Sequence, residues 1–123
     1  MNNMITKLKE NQIFVFGSNL AGRHAGGAAK QAHKDFGAEW GISRGRTGQS
    51  YAFPTLDKEM NQLPIEELKN EVKYLYEYCE GNKDQTFLLT KVGCGIAQIR
   101  ESVMKSLFTN PPKNLVLPED WKN

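Results

Sequence analysis

Several features that assign a function directly are missing from this sequence. It has two cysteines in 123 residues, and they form neither a CxxC pair nor a cysteine and histidine pattern with metal-ligand spacing. A disulfide scaffold and a zinc site are therefore not expected, and we predict no metal and no cofactor. The formal net charge is only +2, which excludes a molecule built throughout as a binder of polyanions.

Long apolar runs are also missing. No run approaches the roughly 20 apolar residues that span a bilayer, and residues 1–10 lack the apolar core of a secretory signal. We therefore predict no signal peptide, no membrane partner and a cytoplasmic location. The length of 123 residues favours one domain over residues 1–123, with residues 1–12 as an N-terminal arm or edge element.

The first prominent feature is a strand that runs into a glycine-rich loop. Residues 13–16 are all apolar and predict a buried strand that stops at Gly17. Small and polar residues follow, and two glycines lead into an alanine-rich helix predicted over residues 26–36. We call residues 17–29 the first glycine loop. It places bare backbone N–H groups at a helix N-terminus, where the helix dipole favours an anion such as phosphate.

A second glycine turn repeats this arrangement. Residues 86–90 predict a strand buried on both faces, and residues 93–97, which we call the second glycine loop, follow it and precede a helix. Neither loop spells a Walker A motif or a dinucleotide-binding fingerprint. In parallel α/β sheets, ligands bind at the carboxyl ends of the strands. If the two strands are neighbours, the two loops form one cleft.

The remaining segments complete an alternating pattern. They are a strand tendency at residues 40–42, a strand at 50–53 ended by Pro54, a helix begun by Pro64 with an apolar stripe of Leu68, Val72, Leu75 and Cys79, a helix over 99–108 and a strand at 114–117. The order β-α-(β)-β-α-β-α-β predicts an α/β fold with a mixed, mostly parallel sheet.

Three polar side chains in the loops are candidates for chemistry. Asn19 can bond a sugar hydroxyl, or can simply support a left-handed turn. His24 can contact a phosphate or act as an acid or base. Cys94 at a helix N-terminus can be a nucleophile if its thiol pKa is lowered and a base lies nearby, and the alternative is a small packing residue.

The two loops together resemble the macro domain superfamily, whose members bind ADP-ribose and in some branches hydrolyse ADP-ribosyl bonds. The resemblance covers residues 13–117. It is carried by I-F-V-F-G-S-N-L, by H-A-G-G-A-A-K-Q-A-H-K-D-F-G and by T-K-V-G-C-G-I-A-Q. The sequence is most similar to compact phage-type and bacterial members. The resemblance implies a three-layer α/β/α macro-like domain.

The resemblance also implies a set of site residues. The implied ligand-binding residues are Gly17, Ser18, Asn19, Gly26, Gly27, Ala28, Gly93, Cys94, Gly95, Ile96 and Ala97. Asn19 and His24 are the catalytic candidates at the distal ribose, where a phosphate or an ADP-ribosyl ester would be hydrolysed.

The sequence departs from the superfamily pattern at three points. The adenine-recognising aspartate has no clear match, and Glu10 is the nearest acid. Leu56 and Asp57 stand where the compact hydrolase branch has a lysine, and Ala97 stands where it has an aspartate. The resemblance therefore implies binding before hydrolysis.

A different class of function is indicated by residues 41–50. This glycine-rich segment contains Arg44 and Arg46 and is flanked by Trp40 and Tyr51. Cations beside aromatic rings are typical of surfaces that bind nucleic acid, so the alternative is a non-catalytic nucleic-acid-binding module. In a third possibility the glycine loops are purely structural and the protein acts through a partner. The oligomeric state does not follow from the sequence.

Overall fold

The computed structural model describes residues 5–122, which form a five-stranded mixed sheet and three helices. The strands are β1 Gln12–Asn19, β2 Gly45–Thr47, β3 Ser50–Leu56, β4 Thr86–Leu89 and β5 Leu115–Val116, and the helices are α1 Gly27–Asp35, α2 Ile65–Glu80 and α3 Glu101–Leu107, followed by a 3-10 turn at Glu119–Trp121. The sheet order is β2-β3-β1-β4-β5, and only β2 is antiparallel to its neighbour. The predicted α/β class with a mostly parallel mixed sheet is confirmed.

β1 lies in the middle of the sheet and divides the core in two. Ile13 and Val15 enter a large apolar cluster with α2 and α3, whereas Phe14 and Phe16 enter a smaller cluster with α1. This alternation follows from the two-residue period of a strand. We call the two sides of the sheet the α2 face and the α1 face.

α2 ends where its sequence predicts and begins one residue later than predicted, because Pro64 is its N-cap rather than its first helical residue. Pro64 precedes the first turn, which contains Glu66 and Glu67, and acidic side chains there are favoured by the helix dipole. The predicted apolar stripe is buried on the α2 face, and Leu75 and Cys79 in it are fully inaccessible to solvent. Gly81 ends the helix.

β1 is longer than the sequence predicts. The predicted strand stopped at Gly17, but backbone pairing with β3 continues through Gly17 and Ser18 to Asn19, with an irregularity between the last two. The prediction stopped short because it followed the apolar side chains, and the last residues of β1 have polar or no side chains. Strand pairing uses the backbone N–H and C=O groups, which these residues also have. Ser18 and Asn19 are therefore fixed in the sheet rather than in the loop.

β3 also continues past its predicted end. Pro54 was expected to stop the strand, yet β3 reaches Leu56. β2 pairs with residues 50–52 only, so no ladder bond on that side requires an N–H at Pro54. The strand predicted at residues 40–42 is wrong, since the strand in this segment is Gly45–Thr47 and Trp40 and Ile42 lie exposed in a loop.

The described part of the predicted arm lies against α1. Ile5 and Leu8 pack on the smaller cluster, and the Gln31 side chain donates a hydrogen bond to the Ile5 carbonyl. Residues 1–4 of that arm lie outside the described residues. Within residues 5–122, no helix has the length and apolar character needed to cross a membrane.

Candidate functional site

The two glycine loops meet at one edge of the sheet. β1 and β4 are parallel neighbours, so both loops leave the sheet at carboxyl ends that lie side by side. A methyl group added to Gly17 would lie 3.3 Å from the backbone nitrogen of Gly93, and one added to Gly26 would lie 3.1 Å from Cδ1 of Ile96. The absence of side chains at these glycines lets the loops form adjoining walls.

Both walls carry unpaired backbone donors. Within residues 5–122, the N–H groups of residues 26–29 and of residues 95–97 have no hydrogen-bond acceptor. Gly26 is the N-cap of α1, no side chain caps the helix, and its first turn contains no acid. The positive end of the helix dipole is therefore uncompensated, which is the condition that favours a bound anion.

A cavity of about 1150 Å³ lies on the α1 face and borders the first of these donor sets at Gly27 and Ala28. Its floor is apolar and includes Phe14, Leu88 and Val116, and Gly27 and Ala28 form part of its wall. The sequence predicts that the strand over residues 86–90 is buried on both faces, but Leu88 on the α1 face of β4 is only half-buried. The reason is that α1 covers β1 and β3 and leaves β4 and β5 open. The volume is sufficient for a ligand of nucleotide size or larger.

Ionic contacts fix the wall opposite α1. Lys91, two residues past the end of β4, has its Nζ 2.7 Å from Glu101 and 2.7 Å from Asp120, and Trp121 Nε1 donates to Glu101 at 2.9 Å. Hydrogen bonds to the two carboxylates raise the pKa of Lys91, and Lys91 lowers the pKa of Asp120. Sequence reasoning missed this group because its members are far apart in the chain and no motif links them.

Ser18 and Asn19 direct their polar atoms toward the protein backbone. The Asn19 amide donates to the Arg23 carbonyl at 2.9 Å and accepts from the Arg23 N–H at 3.0 Å, while the Ser18 hydroxyl donates to the Ser43 carbonyl. Both residues are at least 95% buried. The ribose contact and the catalytic role predicted for Asn19 stay predictions, and the contacts present in the structure close the turn at residues 19–23.

His24 is the most buried polar residue of the first glycine loop, with 1% of its surface exposed. Its Nε2 lies 2.9 Å from the Glu39 carbonyl and 3.1 Å from the Ile42 carbonyl. Since both partners are acceptors, Nε2 carries the proton. Burial lowers the pKa of His24, so the ring is neutral at pH 7. The catalytic role predicted for His24 stays a prediction. In the structure, the Nε2–H group is already bound to the carbonyls of Glu39 and Ile42.

Cys94 is partly buried in the second glycine loop, and its thiol lies 3.6 Å from the Val92 carbonyl. Burial raises the pKa of the Cys94 thiol, and the negative charge of Glu101 raises it further. A nucleophilic cysteine needs the opposite shift. The arrangement favours the packing role. Ala97 of the same loop is held by a 2.7 Å hydrogen bond from the Gln62 side chain to its carbonyl.

Both arginines of the basic segment at residues 41–50 bind other groups of the protein. Arg44 forms a two-point ion pair with the buried carboxylate of Glu71, and Arg46 donates to the Gly48 carbonyl at 3.0 Å. Trp40 beside the segment is 54% exposed. Across residues 5–122, no group of three or more histidine, cysteine or acidic side chains is placed to hold a metal ion.

Comparison of the chain with protein-family models, with curated proteins and with solved structures gives no match. The resemblance to macro domains therefore still depends on the two loop motifs. The functional assignment depends on the geometry of the cleft.

Proposed function

We propose that this chain is a macro-like domain that binds ADP-ribose or a related nucleotide-sugar phosphate between its two glycine loops. The observation that carries the proposal is the pair of unpaired donor sets on adjoining loops, the N–H groups of residues 26–29 and those of residues 95–97. A single phosphate needs only one such set. Two sets on adjoining loops match the two charged groups of a diphosphate.

The cavity supports the same ligand class. Its apolar floor at Phe14, Leu88 and Val116 suits a planar base, and it begins where Gly27 and Ala28 of the first loop end the anion-binding wall. A ligand with an anionic centre and an apolar end can therefore occupy both features at once. A free phosphate or a simple sugar phosphate would leave the floor uncovered.

Hydrolysis of a distal-ribose phosphate or of an ADP-ribosyl ester is the catalytic form of this proposal. Free backbone donors can stabilise negative charge that develops in a transition state. Asn19 and His24 would have to exchange their present partners, the Arg23 backbone and the carbonyls of Glu39 and Ile42, to position a water molecule. Turnover that survives in both Asn19→Ala and His24→Ala, with each variant shown to be folded, would remove these two residues from the mechanism.

The direct test is a calorimetric titration with ADP-ribose, its 1″-phosphate, NAD, AMP and adenosine. We expect ADP-ribose to bind more tightly than AMP, and adenosine to bind weakest because it has no phosphate for the free amides. The absence of binding by all five compounds would refute the proposed function. Adenosine binding as tight as that of ADP-ribose would refute the role of the glycine loops.

The alternative proposal, a nucleic-acid-binding module, has one observation in its favour. Trp40 is 54% exposed beside a glycine-rich segment, and exposed aromatic rings can stack on unpaired bases. The ion pair of Arg44 with Glu71 weakens the alternative, because the charge of Arg44 is already neutralised within the protein. Salt-sensitive binding of a single-stranded oligonucleotide, in the absence of ADP-ribose binding, would favour this alternative.

A further inference from the structure

We propose that His24 is a positioning residue that holds residues 39–42, here called the covering segment, against the first glycine loop only while its imidazole is neutral. Its link to ligand affinity rests on the proposed function of the cleft. The clasp itself is a property of the free protein.

The hydrogen bonds of His24 join two parts of the chain. Its single Nε2–H is shared by the carbonyls of Glu39 and Ile42, at 2.9 and 3.1 Å, so one side chain holds both ends of the covering segment. The residue is buried, with 1% of its surface exposed. The ring makes a T-shaped contact with Phe16 of β1 at a centroid distance of 5.2 Å, which connects the clasp to the central strand.

Other contacts show that the covering segment supports the first glycine loop directly. The Gly41 N–H donates to the Gly22 carbonyl at 2.8 Å. The backbones are so close that a methyl group on Gly22 would lie 2.5 Å from the Gly41 carbonyl carbon. Gly22 follows Asn19, whose amide closes the same turn, and precedes the donor residues 26–29. Displacement of the covering segment therefore removes support from one wall of the cleft.

A second proton on His24 has no acceptor. In the neutral ring Nδ1 carries only a lone pair, and it is buried with no hydrogen-bond partner among residues 5–122. The titratable group facing it from α1 is His33, with ring centroids 6.3 Å apart, and Trp40 of the covering segment lies at 6.1 Å. Arg23 and Glu39 are the charged neighbours along the chain, and both are exposed.

Protonation is thus coupled to opening. Burial, with a smaller contribution from the charge of His33, lowers the pKa of His24 in the closed form. If His24 is protonated in place, its Nδ1–H becomes a buried donor without an acceptor, which costs free energy. The imidazolium avoids this cost when the ring leaves the carbonyls of Glu39 and Ile42, so a lower pH favours the form in which the covering segment is released. Because ligand binding favours the closed loop, acidification from about pH 8 to about pH 5 is expected to weaken ADP-ribose binding by about tenfold.

The clasp is tested first without ligand, by an NMR titration of the imidazole nitrogens and backbone amides. We expect His24 to be the Nε2–H tautomer at about pH 8 and to gain its second proton below its ordinary value of 6.5, with the Gly41 amide shifting at the same midpoint. Protonation of His24 with no change at Gly41 would overturn the clasp. If the clasp opens and ADP-ribose affinity does not change with pH, the positioning role is overturned.

Two matched variants separate this role from general stability. His24→Gln keeps a side-chain N–H donor but cannot titrate, so we expect its ADP-ribose affinity to lose the dependence on pH between about pH 8 and about pH 5. His33→Gln changes the other histidine and should keep the pH dependence. A persistent pH dependence in folded His24→Gln contradicts the inference. If that variant does not fold, the wild-type and His33→Gln titrations decide the question. The absence of ADP-ribose binding at any pH refutes the proposed function and leaves the NMR result to decide the clasp.

Discussion

The two faces of the sheet use the same strands for different purposes. On the α2 face, buried side chains cover β3, β1, β4 and β5 without interruption, from Phe53 to Leu115. On the α1 face, the buried cluster stops at β1 and β3, and Leu88 and Val116 of the other two strands line a cavity. One face is closed by packing and is built for stability, whereas the other retains space that a ligand can fill.

The difference arises from the helices. α2 has 16 residues and carries large apolar side chains, and α3 extends its cover. α1 has nine residues, and the residues it buries are Ala29 and Ala32. Small side chains let α1 approach β1 closely, but a short helix at this distance cannot also reach β4 and β5. The cavity is therefore a consequence of the short helix whose N-terminal N–H groups are unpaired.

Phe87→Ala tests the closed face and should have the largest effect on stability. Phe87 is fully buried on the α2 face, so removal of its ring leaves a cavity that costs about 3–5 kcal/mol of unfolding free energy. Chemical denaturation measures the loss. A loss below about 1 kcal/mol would show that the packing on this face is not tight.

Leu88→Ala is the matched change on the open face, one residue further along β4. Its side chain is only half-buried and borders the cavity, so we expect a loss of about 1 kcal/mol of stability. ADP-ribose affinity should fall by about three- to tenfold because part of the apolar floor is lost. Unchanged affinity, with the Phe87→Ala result as expected, would mean that the ligand does not reach the floor.

Gly26→Asp separates stability from binding within the first glycine loop. Gly26 has the extended backbone typical of an N-cap, where an aspartate caps free N–H groups and raises stability by a few tenths of a kcal/mol. The same carboxylate would compete with a bound phosphate, so ADP-ribose affinity should fall by at least about tenfold.

The control for this change is Gly26→Asn, which has nearly the same shape without the charge. It should stabilise the helix similarly and weaken ADP-ribose binding much less, as measured by thermal unfolding and calorimetry. Equal losses of affinity in both variants would indicate a steric effect through Ile96, whose Cδ1 is close to the added Cβ, rather than competition for an anion site.

Trp40→Ala should change the free energy of unfolding by no more than about 0.5 kcal/mol, because more than half of the side chain is exposed. The variant shows whether ligands bind in the cleft or on the exposed surface around Trp40. Under the ADP-ribose proposal, calorimetry should show nearly unchanged affinity. A loss of oligonucleotide binding in this variant would instead support the nucleic-acid alternative.

Much of the fold follows from local patterns in the sequence. Burial can be predicted from the residue types in three segments: the apolar run of β1, the alanine-rich α1 and the apolar stripe of α2. The alternating order of strands and helices predicts the α/β class. The predicted ends of β1 and β3 are wrong because backbone pairing, rather than side-chain type, sets where these strands end. Pro54 is accepted in β3 because β2 ends beside Ala52, and neither the length of β2 nor its edge position can be read from local composition.

The candidate site was predictable as two loops but not as a set of side-chain roles. Glycines after two strands indicated where the loops lie, and the pairing of β1 with β4 brings them together. The partner of His24 is a segment about 15 residues away that has no recognisable pattern, and Lys91 meets Asp120 through the C-terminal turn. Such contacts depend on the packed structure, so single-sequence patterns cannot show them.

The central position of β1 has a consequence for how the chain folds. Phe14 pairs with Ser50 on one side and with Leu88 on the other, so β1, which is synthesised before the other four strands of this sheet, is paired on both sides only after β3 and β4 exist. Nonlocal parallel pairing slows folding, since loops must close before any contact forms. Until then an apolar strand has two unpaired edges, and association between nascent chains competes with folding through that segment.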